Sequence, residues 1–245
     1  MSDILLLCPR DWEDPWAKKA LTDTSKISRF NGIPRPDSLQ SKKVVLESFL
    51  NRDEKKQALL AVGENEKWSG FVASLYIHDS VTHLATVSGL KERLVGFHPS
   101  PGFGDKPGVE LLRGEDTDPG TVKEVQWAFE KMGFTVFVCR DQAGGILPRV
   151  LASMINEAAH MAWVGIAPVE MIDAMLRLGA NFPMGPFQWA DKIGLDRVLD
   201  LLENLSRERG PQYQPCPAIR RKVEAGKLGI KTGEGFYKYE QGEIS

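Results

Sequence analysis

The stretch around which the sequence is organised is Leu94-Val-Gly-Phe-His-Pro-Ser-Pro-Gly-Phe-Gly-Asp-Lys-Pro-Gly-Val-Glu-Leu-Leu112, which predicts a strand, a loop and a second strand. His98 closes the first apolar run, and Glu110 lies inside the second, twelve positions later. A hairpin of this shape can bring an imidazole and a carboxylate together at one end of a sheet, as in a general base whose ring is oriented by an acid. The spacing by itself also allows His98 to be a loop histidine and Glu110 a solvated strand residue.

Composition narrows the class of protein. The chain has 245 residues, enough to bury the core of one or two domains. Its formal net charge of -2 does not favour nucleic acid or an anionic membrane as a partner. Cys8, Cys139 and Cys216 are scattered, which argues against a disulfide framework or a metal site and fits a reducing compartment. The apolar run at residues 4–8 is too short for a signal peptide or a membrane span, so we expect a cytoplasmic protein.

The first part of the sequence alternates between strand and helix patterns, as a parallel α/β sheet does. In addition to the two hairpin strands, we predict strands at residues 4–8, 44–50, 71–77 and 134–138. Helices are predicted at residues 54–62 and 121–132, with a short helix or turn at 83–90. Residues 9–43 are polar and predict only one weak helix, at 16–22.

After Arg140-Asp-Gln-Ala-Gly-Gly145 the strand patterns end and amphipathic helix patterns follow. Helices are predicted at residues 146–164, 169–178, 187–193, 195–209 and 218–225. We therefore expect an α/β domain over residues 1–141, followed by an all-α domain over residues 142–245.

The helical part carries four motifs in a specific order. Together they resemble the C-terminal domain of the NAD-dependent L-3-hydroxyacyl-CoA dehydrogenases. The motifs are Leu178-Gly-Ala-Asn-Phe-Pro-Met-Gly-Pro186, Asp191-Lys-Ile-Gly-Leu-Asp196, Tyr213-Gln-Pro-Cys-Pro217 and Lys231-Thr-Gly-Glu-Gly-Phe-Tyr237. In that family a histidine takes the proton of the substrate 3-hydroxyl while hydride passes to the nicotinamide, and a glutamate twelve residues later holds the histidine. The resemblance implies that His98 and Glu110 are the catalytic pair.

The resemblance extends upstream to Val45-Leu-Glu-Ser-Phe-Leu-Asn51 and covers roughly residues 44–239. It implies an acyl-CoA substrate and NAD as the cofactor, with Lys56 and Lys231 near that cofactor. It also implies that the helical domain mediates dimerisation.

The beginning of the chain departs from the family pattern. A dinucleotide-binding unit has GxGxxG after its first strand and an acidic residue at the end of its second. Here the first strand runs into Cys8-Pro-Arg-Asp-Trp-Glu-Asp-Pro15, which has no glycine, and the acidic residue has no counterpart. The glycines of Gly102-Phe-Gly-Asp-Lys-Pro-Gly108 have the wrong spacing. We therefore predict a curtailed Rossmann-like domain and no useful NAD affinity of this chain alone.

Polar positions of the family site also differ. In an ungapped comparison its cofactor-side glutamate corresponds to Asn51, its serine to Ile77, and two asparagines to Pro101 and Pro148. Isoleucine and proline side chains cannot make the hydrogen bonds that those polar groups make in the family.

Three functions remain open from the sequence. The first is an active 3-hydroxyacyl-CoA dehydrogenase. The second is a non-catalytic subunit that dimerises with itself or with a complete dehydrogenase, which would supply the nicotinamide site. The third is a cofactor-free acid–base reaction on an acyl-CoA, for which the sequence offers no oxyanion-stabilising donor.

Overall fold

A mixed β-sheet forms the first part of the chain. The computed structural model describes residues 3–9, 27–76, 79–100 and 107–240, and these residues form seven strands in one sheet. The strands are β1 Ile4–Cys8, β2 Ile27–Asn31, β3 Val44–Glu47, β4 Phe71–Leu75, β5 Leu94–Ser100, β6 Gly108–Arg113 and β7 Thr135–Arg140. Packing divides the chain into two compact units, Met1–Gly145 and Ile146–Ser245, and the boundary predicted after residue 141 lies near this division.

The strand order is β2-β1-β3-β4-β5-β6-β7. Neighbouring strands are parallel except β5 and β6, which form the predicted antiparallel hairpin. The chain passes from β1 to β2 on one side and then to β3 on the other side of β1. In doubly wound folds such a reversal is where nucleotides bind. The predicted fold class, a Rossmann-like α/β sheet followed by an all-α region, is confirmed.

Strand β2 corrects the sequence-based prediction, which placed no strand between residues 9 and 43. It pairs in parallel with β1, from Ile4 opposite Ile27 to Cys8 opposite Asn31. Four of its five residues are half-exposed or exposed, because in the described part of the chain β2 is an edge strand that pairs with β1 alone. Such a strand lacks the continuous apolar run that marks a buried one. The weak helix predicted at 16–22 lies outside the described residues.

Alternation along the strands gives the sheet two apolar faces. On one face Ile4 and Leu6 belong to the core that includes helix α4. On the other face Leu5 and Leu7 belong to the core that includes α2 and α3. The helices of this unit are α1 Pro36–Leu39, α2 Arg52–Gly63, α3 Val81–Ser88 and α4 Pro119–Lys131.

The second unit is helical, and its core includes Ile155, Phe187 and Leu202. Its helices are α5 Leu147–Trp163, α6 Val169–Gly179, α7 Pro186–Ile193, α8 Leu195–Arg209 and α9 Pro217–Glu224. In the part of the chain that the structure describes, no helix combines the length and apolar character needed to cross a membrane.

Two buried aspartates explain why the motifs of the helical unit occur together. Asp191 accepts hydrogen bonds from the backbone N–H groups of Phe236 at 2.8 Å and Tyr237 at 2.9 Å, and from the Tyr239 hydroxyl at 3.0 Å. Asp173 accepts from the N–H of Phe187, in the first turn of α7, at 2.9 Å and from the Tyr237 hydroxyl at 2.8 Å. These residues fasten the glycine-rich tail to the helices.

Candidate active site

The hairpin places His98 and Glu110 directly opposite each other on β5 and β6. Residues that face each other across antiparallel strands have their side chains on the same face, with Cβ atoms about 5 Å apart. His98 is half-buried, whereas Glu110 is only 4% exposed. The structure therefore brings together the two residues that the sequence singled out.

Strand alternation decides which face of the sheet carries this pair. Val95 and Phe97 point into the core on the α4 side, so Gly96 and His98 lie on the side of α2 and α3. Gly96 has to be glycine, because a Cβ atom there would lie 2.5 Å from Val81 Cγ2. The close approach of α3 to β5 is thus possible two residues before His98.

Gly145 leaves the space in which the Glu110 carboxylate lies. A Cβ atom on Gly145 would lie 2.4 Å from Glu110 Oε2, closer than real side chains approach. Gly145 also has a φ of +54°, in the left-handed region that favours glycine. In the sequence Gly145 is only the last residue of the stretch after which the strand patterns end. Its contact with Glu110 is visible only in the tertiary structure.

A buried ion pair lies on the same face of the sheet, and the sequence-based prediction missed it. Lys55 Nζ is 2.6 Å from Glu47 Oε2, and the two side chains are 2% and 0% exposed. Burial lowers the pKa of Lys55, while the Glu47 charge acts in the opposite direction. A signal was present in the sequence, because Glu47 interrupts the apolar run of β3.

Lys56 and Lys231, the residues expected near a cofactor, lie in different units. Lys56 is half-buried on α2, next to the buried Lys55. Lys231 lies in the 3-10 turn Ile230–Thr232 of the helical unit, where its Nζ is 2.5 Å from Asp196 Oδ2. Their role at a cofactor stays a prediction.

Two of the four substituted polar positions have a local structural role. The Asn51 side chain caps α2 by accepting from the backbone N–H groups of Asp53 at 2.9 Å and Glu54 at 3.1 Å. Pro148 lies in the first turn of α5, where a proline costs no helical hydrogen bond. Ile77 and Pro101 lie outside the described residues.

The carboxyl ends of β1 and β2 are where a doubly wound fold holds the adenosine and pyrophosphate of a dinucleotide. Here Arg29 Nε donates to Cys8 Sγ at 3.0 Å and to Asn31 Oδ1 at 2.9 Å. Burial raises the pKa of the Cys8 thiol, with Arg29 opposing that effect. A neutral amide thus stands at the end of β2, where NAD-binding folds place a carboxylate, and residues 9–31 include no glycine. The described residues of this edge do not fit NAD.

The arrangement can transfer a proton. A half-buried imidazole beside a buried carboxylate is suited to accept a proton from a substrate hydroxyl. Over residues 3–9, 27–76, 79–100 and 107–240, no group of three or more His, Cys, Asp or Glu side chains could hold a metal ion.

Comparisons with known proteins point to one family. The family model described as 3-hydroxyacyl-CoA dehydrogenase, C-terminal domain, matches residues 144–239. The chain is 37% identical over 231 residues to the 3-hydroxybutyryl-CoA dehydrogenase of Bradyrhizobium diazoefficiens, a match that covers 91% of this chain and 78% of that relative. It is 38% identical over 198 residues to the probable 3-hydroxybutyryl-CoA dehydrogenase of Deinococcus radiodurans, which covers 80% of this chain and 71% of the relative.

A solved structure extends the similarity to nearly the whole fold. The crystal structure of (S)-3-hydroxybutyryl-CoA dehydrogenase PaaH1 from Ralstonia eutropha is similar to this chain with a TM-score of 0.81 at 26% identity. The match covers 98% of this chain and 100% of that chain.

Proposed function

Since this chain belongs to the 3-hydroxyacyl-CoA dehydrogenase family, we propose that it acts in the oxidation of a 3-hydroxyacyl-CoA to the 3-oxoacyl-CoA. The observation that carries this proposal is the position of His98 opposite Glu110 on the β5–β6 hairpin. The names of these relatives specify 3-hydroxybutyryl-CoA, which supports a short acyl chain for the substrate.

In the proposed reaction His98 accepts the proton of the substrate 3-hydroxyl and returns it in the reverse direction. Glu110 orients the imidazole and stabilises its protonated form, because a buried carboxylate interacts strongly with a neighbouring positive charge. The oxidation also requires a hydride acceptor. Since the β1–β2 edge does not fit NAD, we assign proton transfer to this chain, and the hydride would pass to a nicotinamide cofactor from solution or from a partner dehydrogenase.

The first experiment measures oxidation of NADH by acetoacetyl-CoA, with NADH at millimolar concentration because micromolar binding is not expected, and compares the wild type with His98→Gln and Glu110→Gln. We expect His98→Gln to lower kcat/KM by about 10²- to 10⁴-fold, the usual range for loss of a general acid or base. Glu110→Gln should lower it less, because the amide still accepts a hydrogen bond. The control is His160→Gln in the helical unit, which should leave kcat/KM unchanged. Equal rates for the wild type and His98→Gln would contradict the proposal.

By likeness to the family, Lys56 and Lys231 are the residues that would contact a nicotinamide cofactor. Isothermal titration with NADH measures this directly in the wild type and in the Lys56→Gln and Lys231→Gln variants. We expect no micromolar binding to the wild type alone. Micromolar binding that either substitution weakens would instead show that this chain holds the cofactor without the glycine-rich loop.

A second candidate function is a non-catalytic subunit of a complete dehydrogenase. This function is favoured by the end of β2, where Asn31 stands in place of the expected carboxylate. Arg29 donates hydrogen bonds to Asn31 and Cys8 there. In this case the chain alone is inactive, and turnover appears or changes only when a full-length 3-hydroxyacyl-CoA dehydrogenase is added. Full activity of the isolated chain would exclude this alternative.

Either function is compatible with association through the helical unit, which we propose occurs between two copies of this chain. Met171, Met175 and Leu178 lie on one face of α6 at helical spacing and are 60%, 67% and 86% exposed. Such an apolar row on a soluble protein is characteristic of an interface. A complete dehydrogenase is the other partner that the family resemblance allows.

A further inference from the structure

The Lys55 ammonium is saturated by groups of its own chain. Its Nζ donates to Glu47 Oε2 at 2.6 Å, to the Leu75 carbonyl at 2.9 Å and to Ser74 Oγ at 3.3 Å. An ammonium has three N–H donors, so each has an acceptor. A fully buried lysine with these partners cannot contact a substrate or a cofactor directly.

The Glu47 carboxylate is enclosed in the same way. Its Oε1 accepts from the Phe49 N–H at 2.5 Å, and its Oε2 accepts from the Ser74 hydroxyl at 2.5 Å as well as from Lys55. We call Glu47, Lys55 and Ser74 the buried cluster. It joins the last residue of β3, the first part of α2 and the end of β4.

Strand register connects the buried cluster to the candidate catalytic histidine. Glu47 pairs with Ser74, and Ser74 pairs with Gly96, so these residues form one row across the sheet. His98 lies two residues beyond Gly96 on the same face. One residue further along, β4 and β5 are joined by the pairing of Leu75 with Phe97. The Tyr76 N–H also donates to the Phe97 carbonyl at 2.8 Å.

The energetics of a buried ion pair indicate what such a cluster contributes. Removing two charges from water costs several kcal/mol per ion, and apolar residues of similar volume often stabilise a fold equally well. An ion pair with directional hydrogen bonds does, however, fix the relative positions of the groups it joins. A contribution to the geometry of the carboxyl edge of the sheet therefore explains the buried cluster better than a contribution to stability does.

We propose that Lys55, acting with Glu47 and Ser74, is a positioning residue for His98. It fixes the end of β4 through the Leu75 carbonyl, and β4 in turn fixes β5 at Phe97, the residue before His98. The catalytic part of this inference rests on the proposed function, whereas the effect on the position of His98 does not.

The test uses a variant in which both charges are removed, Lys55→Met with Glu47→Leu. It leaves no unpaired buried charge, although the Phe49 N–H and the Ser74 hydroxyl lose an acceptor, so it should lose less stability than Glu47→Leu or Lys55→Met alone. We expect kcat for acetoacetyl-CoA reduction to fall about 10- to 100-fold, the size of effect that a small misplacement of a catalytic group produces. KM for acetoacetyl-CoA should stay within about twofold, because the cluster does not touch the substrate.

A second readout is independent of turnover. The chain has four histidines, so the imidazole signal of His98 in a ¹H–¹³C NMR spectrum can be assigned by its loss in His98→Gln. In the double variant this signal and its pH titration should move, while the signals of His83 and His160 should stay in place. An unchanged His98 signal in the folded double variant would overturn the inference. If the wild type shows no turnover, the proposed function fails, and the His98 signal still decides the positioning role.

Ser74→Ala covers the case in which the double variant does not fold. It removes one hydroxyl that bonds both Lys55 and Glu47, so the His98 signal should move in the same direction by a smaller amount. The matched control is Lys123→Met, which removes an exposed lysine of α4 and should leave the His98 signal and kcat unchanged.

Discussion

At the scale of single residues, the candidate site depends on Gly145, which has no side chain. Glu110 Oε2 lies 2.4 Å from the place of a Cβ atom on residue 145, so a side chain there would displace the carboxylate, and the positive φ of Gly145 also favours glycine. These two requirements can be separated, because Gly133 also has a positive φ, of +93°, but has open space where a Cβ would be.

We therefore predict that Gly145→Ala displaces Glu110 and lowers kcat for acetoacetyl-CoA reduction about tenfold or more. Gly133→Ala should cost about 1 kcal/mol of stability, because an L-residue is strained at a positive φ, and should leave kcat unchanged. Steady-state kinetics and urea denaturation of both variants check the two effects. A normal kcat in Gly145→Ala would show that the position of Glu110 does not limit the reaction.

The residue scale also shows the limit of comparison by sequence alone. An ungapped comparison selected Lys56 as the functional lysine of α2. That comparison did not reveal that the structure buries the neighbouring Lys55 against Glu47, and the role of Lys56 stays a prediction. A lysine on a helix is usually solvated. The burial of Lys55 depends on the carboxylate of Glu47, which strand β3 places next to it.

At the scale of elements, the helical unit is held together by buried carboxylates that accept hydrogen bonds. Burial raises the pKa of Asp191, although the N–H groups of Tyr237 and Phe236 and the Tyr239 hydroxyl lower it. A carboxyl group whose pKa is raised on folding binds more protons in the folded state than in the unfolded state. Its contribution to stability is therefore complete below its ordinary pKa of 3.8 and is lost as the pH rises through the folded value.

The raised pKa of Asp191 gives a prediction for Asp191→Asn, whose side chain has nearly the same shape but does not titrate. The free energy of unfolding of the wild type should increase relative to that of Asp191→Asn as the pH is lowered from 7 towards 4. Chemical denaturation of both proteins across this range measures the difference. A difference that stays constant, or that shrinks at low pH, would mean that burial does not disfavour the Asp191 charge.

Element-scale patterns explain most of the agreement between sequence and structure. Helix α8 begins and ends where its amphipathic pattern predicts, at Leu195 and Arg209. Strand β2 was missed because an edge strand with half-exposed residues has no strong pattern. Strand β2 forms because it pairs with β1, a segment that is distant from it in sequence.

At the scale of the whole molecule, the exposed apolar row of α6 is the surface on which we propose that two copies of this chain associate. We predict that Met175→Glu with Leu178→Glu converts a dimer of this chain into a monomer, because each copy would bring two carboxylates into the interface. Sedimentation velocity measures the change. Val87→Glu, which adds a charge at an exposed apolar residue of α3, is the control and should remain dimeric. A monomeric wild type would exclude self-association.

The sequence by itself determined the class of the two units, most helices and strands, and the identity of the residues on the hairpin. Those features follow from local periodicity, which is two residues in a strand and 3.6 in a helix, and from motifs that are contiguous in the chain. Only the tertiary structure decided that His98 and Glu110 are in register, that Gly145 accommodates the Glu110 carboxylate, and that Lys55 is buried with Glu47 and Ser74. Each of these depends on strand pairing or close packing between segments that are distant in sequence, and the free energy of burying a charge is set by those neighbours rather than by residue type.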